Sequence, residues 1–156
     1  MSAEAVITRA RARGVTITAG ESCTGGRLMA ALTDVPGASA VIDRGVVTYS
    51  NAAKEEMLGV RPATLAAHGA VSEAVAGEMA EGALARSGSD LGAAITGIAG
   101  PGGSEHKPEG RVCFALAERG GPTRTETVEF GALGRAGVRA ASVDHALAML
   151  AAALEA

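Results

Sequence analysis

Short apolar, β-branched runs alternate with helix-period stretches along this chain, and that alternation constrains its fold more than any other feature. Glu4 to Arg13 has helical spacing and is stopped by Gly14. Val15 to Ala19 follows as a short strand. Thr24 opens the next helix, which runs to about Leu32 and ends at Asp34, Pro36 and Gly37. Val41 to Tyr49 favours extended backbone. Asn51 is placed to cap a short helix that carries Lys54 and stops at Gly59. Pro62 fits the first turn of another, to about Ala67. Ser72 starts a long helix, roughly Glu73 to Arg86, and Leu91 to Ile95 reads as a buried strand. A Gly/Pro loop runs from Gly97 to Gly110, and Val112 to Ala117 and Thr123 to Phe130 form a hairpin around Gly120 and Gly121. Arg135 to about Leu154 is the closing helix. The pattern predicts a single three-layer α/β/α domain over residues 1–156, with a mixed, mainly parallel sheet.

Composition narrows the core and the function. A chain of 156 residues can bury a core without disulfides or metals. Aromatic content is 2 %, with no Trp and one Tyr, against 22 Gly. Packing therefore falls to Val, Ile, Leu, Met and Ala. The formal charge of −3 offers no field for nucleic acid, and stacking platforms for single strands are missing. No run of about 18 apolar residues predicts a membrane span, and the N-terminus lacks a signal-peptide core. Cys23 and Cys113 form no CxxC pair, so reduced thiols in the cytoplasm are expected. His68, His106 and His145 show no metal-ligand spacing.

Three segments could carry chemistry. In Gly20-Glu21-Ser22-Cys23-Thr24-Gly25-Gly26 a strand ends and a helix begins. A hydroxyl there can stand beside unpaired helix N–H groups, ready-made oxyanion donors. Ser22 or Thr24 as a plain helix cap explains the same residues, and a Cys23–His nucleophilic pair is a further option. In Tyr49-Ser50-Asn51-Ala52-Ala53-Lys54 the only tyrosine precedes one of two lysines in a chain that otherwise uses Arg. Lysine can lose its proton where Arg cannot, which suits proton transfer, although a lysine at such a place is ordinarily a solvated charge. Tyr49 reads equally as a core aromatic with its hydroxyl at the surface. Thr96-Gly97-Ile98-Ala99-Gly100-Pro101-Gly102-Gly103 follows an apolar strand, where α/β folds bind ligands, and a flexible connection would look the same.

Taken together these segments resemble one family. Ala19 to Gly26 resembles its AESCTGG signature, with Gly20 inserted or shifted relative to the alanine. Pro36 to Ser39, Gly45 to Lys54 and His68 to Ser72 resemble its next blocks, and Thr96 to Gly103 its TGIAGPGG block. The family is that of the CinA C-terminal domain, whose enzymatic members are nicotinamide mononucleotide deamidases, and the similarity runs from about residue 3 to 153. The resemblance implies a stand-alone serine amidase without histidine, metal or cofactor. Its product would be nicotinate mononucleotide, released with ammonia. It implies Ser22 as nucleophile, and Tyr49 and Lys54 as the pair that activates it, Lys54 acting directly or through the Tyr49 hydroxyl. Cys23, Thr24, Gly25 and Gly26 would surround the oxyanion, and Thr96 and Gly97 the substrate. The family's Phe-x-Gly-Asp-Arg-x-x-Val-Arg pattern is altered here: Phe130 to Arg135 is one residue longer and lacks the Asp. Arg135 and Arg139 remain, and the resemblance points them at the substrate phosphate. A homodimer is also implied. A nucleotide-binding module without catalysis, or an amidase for another carboxamide, are the competing readings.

Overall fold

The computed structural model describes residues 2–104 and 106–155; Met1, Ala156 and, within the Gly/Pro loop, Glu105 lie outside the described residues. Five strands form one sheet: β1 (Ile17–Glu21), β2 (Ile42–Val47), β3 (Leu91–Gly97), β4 (Arg111–Glu118) and β5 (Thr123–Glu129), in the order β2-β1-β3-β4-β5. β1 pairs in parallel with β2 and β3, and β4 runs antiparallel to both β3 and β5. The sheet is therefore mixed as expected. Four of its strands share a direction, while its pairings divide evenly between parallel and antiparallel.

Helices cover both faces. On one lie α1 (Ala3–Arg13), α2 (Arg27–Thr33) and α6 (Gly134–Glu155); on the other lie α3 (Asn51–Leu58), α4 (Pro62–His68) and α5 (Glu73–Ala85). Alternation along the strands sorts side chains by size. Ile17, Ile95, Val112, Phe114 and Leu116 face the α1/α6 side, where Ile7, Leu28 and Leu150 meet them. Ala94, Cys113, Ala115 and Ala117 face the α5 side. Small residues there let α5 lie close to the sheet, so a core almost without rings still closes. Gly20 belongs to this arrangement. It sits in register between Val46 and Ala94 with no bulge beside it, and a Cβ there would stand 2.7 Å from Leu58 Cδ1.

Local signals placed most ends. Gly14 and Gly59 close α1 and α3 in the left-handed conformation. The starts of β1 and α3 are among the boundaries that differ from expectation. β1 begins at Ile17 because Val15 is still engaged in the α1 cap, its N–H donating to Ala10 O at 2.9 Å. Ser50, not Asn51, caps α3, its hydroxyl accepting from Ala53 N at 3.0 Å. Among the described helices α6 alone is long and apolar enough to cross a membrane, although it carries no uninterrupted apolar run of that length; half of that stretch is buried against the rest of the fold.

The chain leaves β1 through α2 to reach β2 on one side, then returns over the opposite face through α3, α4 and α5 to β3 on the other. The connections diverge between β1 and β3. A crevice beyond the carboxyl ends of the strands is expected at that point.

Candidate active site

Ser22 directly follows β1 and is held by the sheet on both sides. Its N–H donates to Ile95 O at 2.9 Å, and Thr48 N–H donates to Glu21 O at 2.7 Å. Six residues after Thr48, in the first turns of α3, comes Lys54. It is only 1 % exposed, so it is no solvated charge. Its Nζ lies 3.0 Å from Ser22 Oγ, 2.9 Å from the Thr48 carbonyl and 3.1 Å from the Tyr49 carbonyl. Tyr49 thus meets Lys54 through its main chain. Its hydroxyl points elsewhere and accepts a bond from Arg135 Nη2 at 2.6 Å, while its ring is 60 % exposed at the cleft.

Residues Ser22 to Gly26 form a turn, and α2 starts only at Arg27. Gly25 N–H donates to Ser22 O and Arg27 N–H to Thr24 O, both at 3.0 Å. Gly25 and Gly26 have φ of 56° and 99°, values that exclude them from a helix and require glycine. This is why the helix does not open at Thr24. Neither Ser22 nor Thr24 is its N-cap. That position falls to Gly26, which has no side chain to offer. The buried carboxylate of Glu21 does the capping instead. It accepts Thr24 Oγ1 at 2.6 Å, Leu28 N at 3.0 Å and Met29 N at 3.1 Å. A charged residue ending an apolar strand, ahead of two glycines, was the available signal for it. Among the described residues, Cys23, Thr24 and Gly26 donate to no backbone carbonyl.

A cavity of about 340 Å³ opens over Ser22, between Tyr49, Ala70 and Val71 on one side and residues 96–104 on the other. Cys23 lines it, but its thiol is pushed up to about 12, chiefly by burial and further by the Glu21 charge; its own amide and the charges of Arg139 and Lys54 pull the other way and are outweighed. A thiolate nucleophile is therefore not available near neutral pH. Among the described residues no histidine hydrogen-bonds to Cys23; His145 packs against Phe114 and pairs with Glu126 at 2.6 Å. Thr96 is buried, its hydroxyl donating to Ala70 O at 3.0 Å. Gly97 must stay bare, since a Cβ would sit 2.7 Å from Val112 and 3.1 Å from Cys23 Sγ.

Arg135, in the first turn of α6, reaches across the rim and donates to Gly100 O at 2.7 Å as well as to Tyr49. Arg139 is not on the cavity lining. Its Nη2 donates to Thr24 O at 3.3 Å, behind the Ser22 turn. Thr24, Gly25 and Gly26 also stand off the lining, and Lys54 lies beneath it. Two residues escaped the sequence reading. Lys107 Nζ donates to His68 O at 2.7 Å and Val71 O at 2.6 Å. The Glu109 carboxylate accepts Gly102 N at 2.6 Å and Gly134 N at 3.2 Å. Their acceptors and donors are main-chain groups, which leave no mark in a sequence.

A serine hydroxyl at the end of the central parallel strand, touched by a buried amine at the switch point of a doubly wound sheet, defines a recognisable class of α/β domain. The particular family is equally clear. The CinA C-terminal domain description matches residues 1–154, and the chain belongs to that family. A putative competence-damage inducible protein of Symbiobacterium thermophilum is 53 % identical over 147 residues, covering 88 % of this chain and 34 % of that protein. The chain spans about a third of the length of the first of its curated relatives. The nicotinamide-nucleotide amidohydrolase PncC of Escherichia coli K12 is 58 % identical over 119 residues, 74 % of this chain and 72 % of that one. The crystal structure of competence/damage inducible protein CihA from Agrobacterium tumefaciens superposes with a TM-score of 0.94 at 47 % identity, covering 99 % of this chain and 93 % of that one.

Proposed function

We propose that this chain is an amidohydrolase that converts the carboxamide of nicotinamide mononucleotide to a carboxylate and ammonia. The observation that carries the reading is the buried Lys54 amine on the Ser22 hydroxyl. As a neutral amine, Nζ can donate to the carbonyls of Thr48 and Tyr49 and accept the Ser22 O–H. Burial disfavours the charged form of such a group. The E. coli relative's name adds the substrate class.

The steps then balance. Ser22 Oγ attacks the carboxamide carbon and passes its proton to Lys54 Nζ. The oxyanion accepts from amides of the turn, Cys23 N–H first. The C–N bond breaks as Nζ returns the proton to the leaving nitrogen, releasing ammonia. Water, deprotonated by the same amine, opens the acyl-serine and regenerates Ser22. The Tyr49 hydroxyl, engaged by Arg135, has no part in the transfer. Thr96 and Gly97 shape the cavity floor. Arg135 is the one cation among the described residues of the lining, and a guanidinium there suits the substrate phosphate.

This reading also places the enzyme in pyridine-nucleotide salvage, in the cytoplasm, as a homodimer. Both cysteines are free and buried, and Val47 and Met57 are exposed apolar residues near the sheet edge. The test is ammonia release from a panel of pyridine carboxamides. Ser22→Ala should abolish release from the mononucleotide with the fold intact, and Lys54→Arg should lower it by about a hundredfold or more. Near-normal turnover by either variant overturns the mechanism, and turnover of another carboxamide alone overturns the substrate.

A further inference from the structure

Arg139 has a task that a substrate contact does not explain. It lies outside the cavity lining, and its Nε is buried without a hydrogen-bond partner, a cost whose evident return is the bond from Nη2 to Thr24 O. The space it occupies is reserved: a Cβ on Gly25 would stand 2.8 Å from Nη2. Thr24 is itself fully buried, with its hydroxyl committed to Glu21, so the peptide that receives the guanidinium is pinned from the other side.

The peptide geometry from that point runs to the reacting atoms. The Thr24 carbonyl belongs to the peptide whose N–H is that of Gly25, and this N–H donates to Ser22 O at 3.0 Å. The Ser22 carbonyl belongs to the next peptide, whose N–H is that of Cys23, the amide after the serine. A peptide whose carbonyl accepts a charge-assisted bond becomes a stronger donor at its N–H, and chained bonds reinforce one another. We propose that Arg139 is a positioning residue that strengthens the Cys23 oxyanion donor through these two peptides and holds the Ser22 turn in register. The proposal rests on the amidase reading above and assigns Arg139 to the transition state instead of the phosphate.

The experiment compares wild type, Arg139→Gln and Arg139→Lys, with rates normalised to folded enzyme. Three quantities are measured: kcat and KM for nicotinamide mononucleotide, the same for nicotinamide riboside, which lacks the phosphate, and the rate at which a fluorophosphonate labels Ser22. In Arg139→Gln, kcat should fall about tenfold or more on both substrates, KM should stay within about twofold, and labelling should slow by a similar factor. Arg139→Lys should recover most of that loss. A KM rise confined to the phosphate-bearing substrate overturns the proposal in favour of a phosphate contact. Unchanged kcat and labelling with a lowered melting temperature overturns it in favour of a purely structural role. If Arg139→Gln does not fold, Arg139→Met takes its place, and a kcat and labelling rate equal to wild type in that variant overturn the proposal. If wild type releases no ammonia from either substrate, the amidase reading fails, and the labelling rates still judge Arg139.

Discussion

The two walls of the cleft are held by different physics. The wall that carries Ser22 is fixed from within by Glu21, Thr24 and Lys54, all buried. The opposite wall, residues 97–104 and 106–110, is tied from outside by Lys107 to the α4–α5 connection, by Glu109 to the start of α6, and by Arg135 across the rim. Buried charges are little screened. Tethers that face solvent weaken with salt and yield more readily. The division suits the amidase proposed above, in which Ser22 is the nucleophile and the loop wall only borders the substrate.

Removing the buried amine is the severest way to test the division. Lys54→Met should lower ammonia release by about a thousandfold. It also leaves the Thr48 and Tyr49 carbonyls without their donor, at about 1–3 kcal/mol each, so a urea melt should shift as well. Activity above a tenth of wild type would break the comparison. Next in size, Glu21→Gln keeps the shape but puts an amide where three donors converge. Stability should fall by about 2 kcal/mol and kcat by about tenfold, read by denaturant titration and steady-state assay. If only stability moves, the buried wall does not couple to the reaction.

Smaller effects belong to the outer wall. Lys107→Met should raise KM about fivefold with kcat within twofold. Added salt should raise KM in wild type and variant alike, through the Arg135–phosphate pairing proposed above. A loss in kcat alone would show that this wall too is catalytic. Smallest of all, Cys23→Ala should keep kcat within about threefold. With its thiol pushed up to about 12, only about one Cys23 in ten thousand is thiolate at pH 8, so iodoacetamide should leave it unmodified in an intact-mass measurement.

Much of this was legible in the residues. Alternating strand and helix patterns predict the layers, and the ends of apolar strands place Ser22 and Thr96 at the cavity. The scarcity of lysine singles out Lys54. The antiparallel β3–β4 pairing was not legible, because a long loop joins those strands and carries no hairpin signal. The start of α2 was misjudged because its cap comes from a strand residue, not from a neighbour in the first turn. Arg139 illustrates the remaining limit. Its residue type allows a phosphate or a carbonyl, and only the fold decides which lies within reach.

The distances spanned by these bonds have a consequence for synthesis. Ser22 and Lys54 are 32 positions apart, whereas Arg135 reaches Tyr49 across 86 positions and Arg139 reaches Thr24 across 115. A nascent chain can therefore bring its serine and lysine together well before its last helix leaves the ribosome. Until that helix docks, the rim is unstitched and the turn behind Ser22 lacks its guanidinium. Such an intermediate would hold its reactive pair without the environment that makes the pair useful.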